Sequence, residues 1–284
     1  MSQIHAATVF THRRPAEIAP ALKELIELAA REGTILRFDS EETRKHGLSE
    51  RPGVVLNADV SHEVDICFAF GGDGTMLSAL RTYAGTGVPV FGINFGEVGF
   101  LAAVDREHAS EGLQRAFSGD FDVLSLPGIE LSGQRWPAIN DVSIHRQPGK
   151  RVADLEYAVG SDDVGRVRCD GLVVATPVGS TGYNLANGGP VMAWGVHGFV
   201  VSFIAPHSLT ARTLVVAPGD VLTVHNRSQE EPVDVMVDGR PVCDLDPGER
   251  IEACFVHDQG CLAQVAGTTF YQRLRQKFGR LATP

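Results

Sequence analysis

Ile66-Cys67-Phe68-Ala69-Phe70 runs uninterrupted into Gly71-Gly72-Asp73-Gly74, and Thr75-Met76-Leu77 follows. A short apolar run ending in glycines reads as a strand buried on both faces. Past the glycines, Met76, Leu77, Leu80 and Tyr83 or Ala84 recur at helical spacing, so a strand empties through a tight turn into a helix. Glycines at three of these four positions let the backbone approach a ligand closely. The start of the helix offers N–H groups and a partial positive charge to a phosphate. Asp73 stands among those donors. A carboxylate adds nothing to a bare phosphate cradle, but it suits a base, or a partner for a hydroxyl or a metal. The plain alternative is a turn whose aspartate caps the helix.

The same alternation extends on both sides of this turn. Residues 6–10 form an apolar run. A helical stripe of Ile18, Leu22, Leu25, Ile26 and Ala29 follows, entered through Pro15 and stopped by Gly33. Residues 34–38 and 88–93 read as strands, and 107–117 as a helix. The 88–93 strand ends in Asn94 and a second glycine-punctuated turn that reaches Leu101, either lining the same sheet edge or simply turning the chain. Apolar strands alternating with helices predict a parallel, Rossmann-like sheet in an α/β domain over residues 1–121. From 122 to 267 short strands dominate, at 122–126, 138–145, 155–159, 172–176, 199–204, 214–216, 221–226, 233–237, 250–256 and 263–266. Asp238-Gly239 is a two-residue hairpin signal. A mostly β, sandwich-type second domain is predicted there. Residues 268–284 carry Phe270, Leu274 and Phe278 on one helical side, so the C-terminal helix is expected to pack back on the first domain.

Composition narrows the function. The chain has 284 residues, 43% of them hydrophobic, and a formal charge of −10, which disfavours nucleic acid and anionic membranes as partners. No apolar run is long enough for a membrane span, and the N-terminal run is followed by His12-Arg13-Arg14, the reverse of a signal peptide. The five cysteines form no C-x-x-C, which suits a reduced, cytoplasmic setting, and no histidine–cysteine spacing predicts a protein metal site. The phosphate motif G-x-x-x-x-G-K-[ST] and the fingerprint G-x-G-x-x-G are both absent. The four lysines (Lys23, Lys45, Lys150, Lys277) lie away from the glycine turn in sequence, so neutralisation of a phosphate there is expected from Mg²⁺ and backbone dipoles.

Two further stretches carry chemistry. Asp170-Gly171-Leu172-Val173-Val174-Ala175-Thr176-Pro177-Val178-Gly179-Ser180-Thr181-Gly182-Tyr183-Asn184-Leu185 is a buried strand leading into a loop dense in hydroxyls. Its donors suit ribose and amide groups, and Tyr183 suits stacking on a flat ring. The serine does not sit in a G-x-S-x-G elbow, so His207 does not make a serine hydrolase; it reads as a hydrogen-bonded structural histidine. In Ile139-Asn140-Asp141-Val142 two polar residues interrupt a strand, which requires partners for both; a bulge and a ligand site explain this equally well.

Together these segments resemble the NAD kinase family, from the GGDGT turn through GINFGEVGFL, the Asn-Asp pair and DGLVVATPVGSTGYNLANGGP to APHSLTARTLV and the Asp238-Gly239 hairpin. The resemblance implies transfer of a phosphoryl group from ATP or polyphosphate, with Mg²⁺, to the adenosine ribose 2′-hydroxyl of NAD. It implies Asp73 as general base with Gly74 beside the dinucleotide, and Gly71, Gly72, Gly74 and Thr75 bordering the donor phosphates. It further implies NAD contacts at Asn140, Asp141, Asp170, Thr181, Gly182, Tyr183, Asn184, Leu185 and Ala186, together with Arg151, Arg168 and Arg240. The chain departs from the family pattern at Gly182, Asn184, Ala186, Val178, Asp141 and Arg240. The competing readings are a kinase acting on a lipid or a sugar, the lipid case disfavoured by the charge of −10, and a non-catalytic NAD(P)-sensing module, disfavoured by the intact Asp73. A homodimer or homotetramer is expected, because a β domain with many apolar strands and a site built from both domains often needs a covering partner.

Overall fold

The computed structural model describes residues 3–97, 99–135, 137–267 and 269–279. Val98 of the second glycine turn, and 268 and 280–284 of the C-terminal segment, lie outside the described residues. The described chain divides into two compact units, one made of the residues up to Ser125 and those from Gly260 onward, the other of Leu126–Gln259.

The first unit runs β1 (Ala6–Thr11), α1 (Pro15–Glu32), β2 (Ile35–Arg37), α2 (Ser40–Lys45), β3 (Val54–Val55), β4 (Ile66–Gly71), α3 (Asp73–Thr82), β5 (Pro89–Asn94), β6 (Val104–Asp105) and α4 (Ala109–Ser118). Its strands lie in the order β5-β4-β1-β2-β3, every neighbouring pair parallel. All six residues of β4 are buried, as the uninterrupted apolar run demands. The stripe on α1 holds, with Ile18, Leu22, Leu25 and Ala29 buried; Pro15 opens the helix and Gly33, at φ 73°, closes it. Val9, Leu36, Phe68 and Phe91 join Leu25 of α1 and Leu113 of α4 in one core.

β7 (Asp122–Leu131) leads into the second unit, which contains β8 (Asp141–Arg146), β9 (Ala153–Val159), β10 (Asp162–Cys169), β11 (Gly171–Ala175), α5 (Tyr183–Ala186), β12 (Phe199–Ile204), β13 (Leu214–Val216), β14 (Val221–Asn226), β15 (Val233–Val237), β16 (Arg240–Leu245) and the start of β17 (Arg250–Gln264). One antiparallel sheet is ordered β13-β12-β11-β8-β15-β16, and a second is ordered β10-β9-β14-β17. Val142, Ile144, Leu172, Val174 and Phe203 of the first share a core with Leu155, Tyr157, Val167 and Val224 of the second, the arrangement of a sandwich. β10 has no counterpart among the strands expected from the sequence, and β16 is the return strand of the expected Asp238-Gly239 hairpin, its length unmarked by the sequence. Both carry charged residues at exposed positions, which masks their alternation. The two strands expected at 250–256 and 263–266 are one, β17, continuous through the polar stretch His257-Asp258-Gln259-Gly260. Its last residues enter the first unit, where Cys261 and Leu262 pair in parallel with Pro89 and Val90.

The last described element is α6 (Phe270–Phe278), capped by reciprocal bonds between Thr269 and Gln272. α6 packs within the first unit as expected: the rings of Phe270 and Phe278 each lie 6.0 Å from Phe100.

Candidate active site

In the first unit β4 carries the chain straight into α3, with Gly72 as the helix cap and Asp73 as the first helical residue. The N–H groups of Asp73 and Gly74 belong to the first turn, where helix geometry supplies no partner. Asp73 is half-buried, and its carboxylate does not cap its own helix. It reaches the second glycine turn, where Oδ2 accepts from the Phe100 N–H and Oδ1 from the Leu101 N–H, both at 3.0 Å. Each oxygen therefore keeps lone-pair capacity for a further donor. Gly99 permits this approach, because a Cβ there would stand 2.5 Å from Oδ1 of Asp73. Phe95 N–H donates to the Gly71 carbonyl at 3.1 Å, and Asn94 fixes the turn from inside, through Gly96 N–H, the Glu97 carbonyl and Asp105. The second glycine turn thus lines the same sheet edge as the first.

A third segment meets that edge. Thr11 of β1 lies in register with Phe70, and the His12 N–H donates to the Phe70 carbonyl at 2.8 Å. His12, Arg13 and Arg14 follow, all exposed. No lysine lies near the glycine turn in sequence, but the pairing of β1 with β4 brings this basic segment to the Phe70 end of the strand. The end of β1 is held by a buried network in which Glu42 accepts from the Thr11 N–H and hydroxyl and from Lys45. Burial works to raise the Glu42 carboxyl, but hydrogen bonds from His46, Lys45 and Thr11 outweigh it and hold the group below its ordinary value.

In the second unit, Val142 and Ile144 of β8 enter the core, which turns Asp141, Ser143 and His145 to the opposite face. The polar Asn140-Asp141 step is accommodated by Asp238, whose carboxylate accepts from the N–H groups of Ile139, Asn140 and Asp141 at 2.8–3.1 Å. Asp238 is also the hairpin turn residue that the sequence implies, with a φ of 47°, but its role as acceptor for the Asn140 step carries no local signal. Thr176 completes the clamp, since its hydroxyl donates to the Ile139 carbonyl and its N–H to the Asn140 carbonyl. Gly179 packs so tightly that a Cβ there would strike the Asn140 backbone. The Oδ1 of Asn140 is buried and has no hydrogen-bond partner among the described residues.

The hydroxyl-rich loop differs from its expected use. Thr176 and Ser180 are fully buried, and Ser180 bonds Pro177 and Met192 rather than facing solvent. Asn184 is equally buried, its amide donating to the Ser180 and Pro190 carbonyls. What the loop presents outward is Gly182, Tyr183 and Ala186, with Thr181 and Leu185 half-buried. The Tyr183 ring stacks on His145, with centroids 5.6 Å apart and planes 17° from parallel. Burial lowers the His145 pKa, opposed by Asp234. Asp170 pairs with Arg146 at 2.5 Å. Arg151, Arg168 and Arg240 are exposed, and His207 is exposed too, with its backbone N–H bonded to the Arg168 carbonyl.

Burial and the neighbouring Asp238 carboxylate push the Asp141 carboxyl up to about 7. The ordinary value is 3.8, so the folded state resists a charge that the unfolded chain accepts. The wild-type protein therefore loses stability as pH climbs from about 4 to about 7. Asp141→Asn never charges, and above pH ~7 it should be the more stable by up to about 4 kcal/mol, the gap closing near pH ~4. Thermal midpoints across that range check this; equal midpoints at high pH would contradict the assigned burial.

Residues 7–121 match the family described as the ATP-NAD kinase N-terminal domain, and residues 139–259 match the ATP-NAD kinase C-terminal domain. An NAD kinase of Gemmatimonas aurantiaca is 31% identical over 95% of this chain and 94% of its own. One of Symbiobacterium thermophilum is 36% identical over 76% of this chain and 78% of its own. Among solved structures, yeast NADH kinase complexed with NADH superposes with a TM-score of 0.85 at 22% identity, covering 100% of this chain and 90% of that one. An NAD kinase from Archaeoglobus fulgidus in complex with ATP gives 0.72 at 25% identity, with 97% of each chain covered. Matched in order by both family domains, and alike to a curated relative over 94% of that relative's length, the chain belongs to the NAD kinase family.

Proposed function

We propose that this enzyme transfers the γ-phosphoryl group of ATP, or a phosphoryl group of polyphosphate, to the 2′-hydroxyl of the adenosine ribose of NAD, with Asp73 as general base. The observation that carries this reading is the Asp73 carboxylate, held by two backbone N–H groups at a helix start yet retaining lone pairs for a hydroxyl. The ribose oxygen attacks the terminal phosphorus as the bond to the leaving phosphate oxygen breaks, and the hydroxyl proton passes to Asp73. Gly71, Gly72, Gly74 and Thr75 border the donor phosphates, whose charge the helix start and the exposed Arg13 and Arg14 offset.

For NAD, the unpartnered Oδ1 of Asn140 is suited to an amino group of the ligand, and Asp141 to sugar hydroxyls. Tyr183 offers a ring face, Asp170 a carboxylate, and the residues from Thr181 to Ala186 the surrounding turn; the buried Asn184 acts by holding that turn. Arg151, Arg168 and Arg240 supply exposed positive charge toward the dinucleotide phosphates. Among the described residues no group of three or more His, Cys, Asp or Glu could hold a metal ion, so Mg²⁺ is proposed to enter on the donor's phosphates, which it would neutralise. A homodimer or homotetramer in the cytoplasm completes the proposal. A light-scattering mass near the monomer's 30.5 kDa would count against the assembly.

Incubation with Mg²⁺, NAD and either ATP or polyphosphate, followed by an NADP-specific coupled assay, tests the reading. NADP should accumulate with at least one donor. Tight NAD binding with no NADP from either donor would favour a sensing module instead.

A further inference from the structure

Beside Tyr183 stands one side chain that the chemistry proposed above leaves unused. His145 follows Asp141 and Ser143 on the side of β8 turned away from the core. Its ring is fixed from within the sheet. Nε2 lies 2.9 Å from the hydroxyl oxygen of Ser143, two residues back on the same face. Gly171 of β11, paired with His145 in register, puts no side chain in its way. On the other side the paired residue is Asp234 of β15, whose Oδ1 accepts from Gln147 at 2.9 Å. Burial disfavours the charged imidazole, so the ring presents a neutral plane.

Tyr183 rests on that plane. The two ring centroids are 5.6 Å apart and the planes 17° from parallel, the offset-stacked arrangement that aromatic pairs favour. Tyr183 opens α5, a helix of only four residues that follows Gly182, and it is 37% exposed. So short and exposed a helix constrains a ring weakly, whereas β8 is hydrogen-bonded to a strand on each side and gives rigid support.

A ring that settles only when its ligand arrives loses rotamer freedom on binding, and that loss is subtracted from the affinity. A ring already stacked has lost it on folding. We propose that His145 is a positioning residue for the acceptor: it holds Tyr183 as a preformed platform on which a flat ring of NAD stacks, acting through Tyr183 rather than through a contact of its own. This rests on Tyr183 being an NAD contact.

The test is a double-mutant cycle on the full chain, reading the dissociation constant of NAD by calorimetry, kcat, and the KM of each substrate. His145→Ala should weaken NAD binding and raise its KM about five- to tenfold, while kcat and the donor's KM stay within about twofold. His145→Phe restores a plane without nitrogens and should recover most of the affinity. His145→Gln keeps a polar partner for Ser143 without a ring and should not. Tyr183→Ala should itself bind NAD weakly, and adding His145→Ala to it should cause little further loss. If His145→Ala does not fold, as judged by its thermal midpoint, Gln against Phe gives the same comparison. The proposal is overturned if the ringless variants bind NAD as the wild type does, if Gln restores affinity and Phe does not, or if the loss repeats in full on Tyr183→Ala. Wild-type affinity in Tyr183→Ala alone would instead remove the contact assigned to Tyr183, so the two failures are distinct.

Discussion

Asp73→Asn should fold and yet lose about 10²–10⁴-fold in kcat, the usual weight of a general base. The amide has one acceptor where the carboxylate has two, so one of the bonds from Phe100 and Leu101 meets an NH₂ group. That local conflict costs about 1–3 kcal/mol of stability, visible as a modest drop in melting temperature. The loss of turnover should greatly exceed it, because the amide cannot take a proton from the ribose hydroxyl. KM values for NAD and donor should move little. Near-normal turnover at saturating substrate would falsify the role of Asp73, whatever else holds the substrates.

The second large effect belongs to Asp238→Ala. Three backbone N–H groups converge on this carboxylate from Ile139, Asn140 and Asp141, so its removal strips the acceptor from the whole polar step. Bonds to a charged acceptor are among the stronger ones, and unmade donors beneath a packed strand are expensive. A destabilisation of about 3 kcal/mol or more is expected, together with a KM for NAD raised at least tenfold, because Asn140 and Asp141 lose their fixed geometry. Chemical denaturation and steady-state kinetics measure the two parts. Wild-type stability in this variant would mean that Thr176 alone suffices to hold the Asn140 step.

The fold was legible where burial is symmetric or strictly alternating. β4 is apolar throughout because both its faces are covered, and the α1 stripe between Pro15 and Gly33 could form nothing but a helix. β10 is not marked in the sequence, because Arg166 and Arg168 interrupt its pattern at positions facing water. At the candidate site the sequence exposed residue types but not their partners. Hydroxyls in a loop usually find water, so Thr176 and Ser180 read as ligand donors, yet Thr176 donates to the Ile139 carbonyl and Ser180 accepts from the Met192 N–H, neither of them a sequence neighbour. Asp238 lies far along the chain from the N–H groups it serves, and no local spacing encodes that reach. The segment after β1 carries the same lesson, since the register of β1 on β4, not proximity in sequence, sets His12 beside Phe70 and Gly71.

The return of β17 into the first unit has a consequence for biogenesis. β6 pairs with the Ile93–Asn94 end of β5, but Pro89 and Val90 at its other end pair with Cys261 and Leu262, and the Phe100 ring packs against Phe270 and Phe278 of α6. A ribosome-bound nascent chain that has emitted the glycine turns and the whole second unit still shows unpaired backbone at Pro89 and Val90 and lacks the aromatic partners that α6 brings to Phe100. Vectorial synthesis therefore cannot finish the amino-terminal half first. Maturation of the phosphate-handling edge waits for the carboxyl-terminal residues, and nonsense truncations before α6 should yield chains prone to aggregation rather than merely slow enzymes.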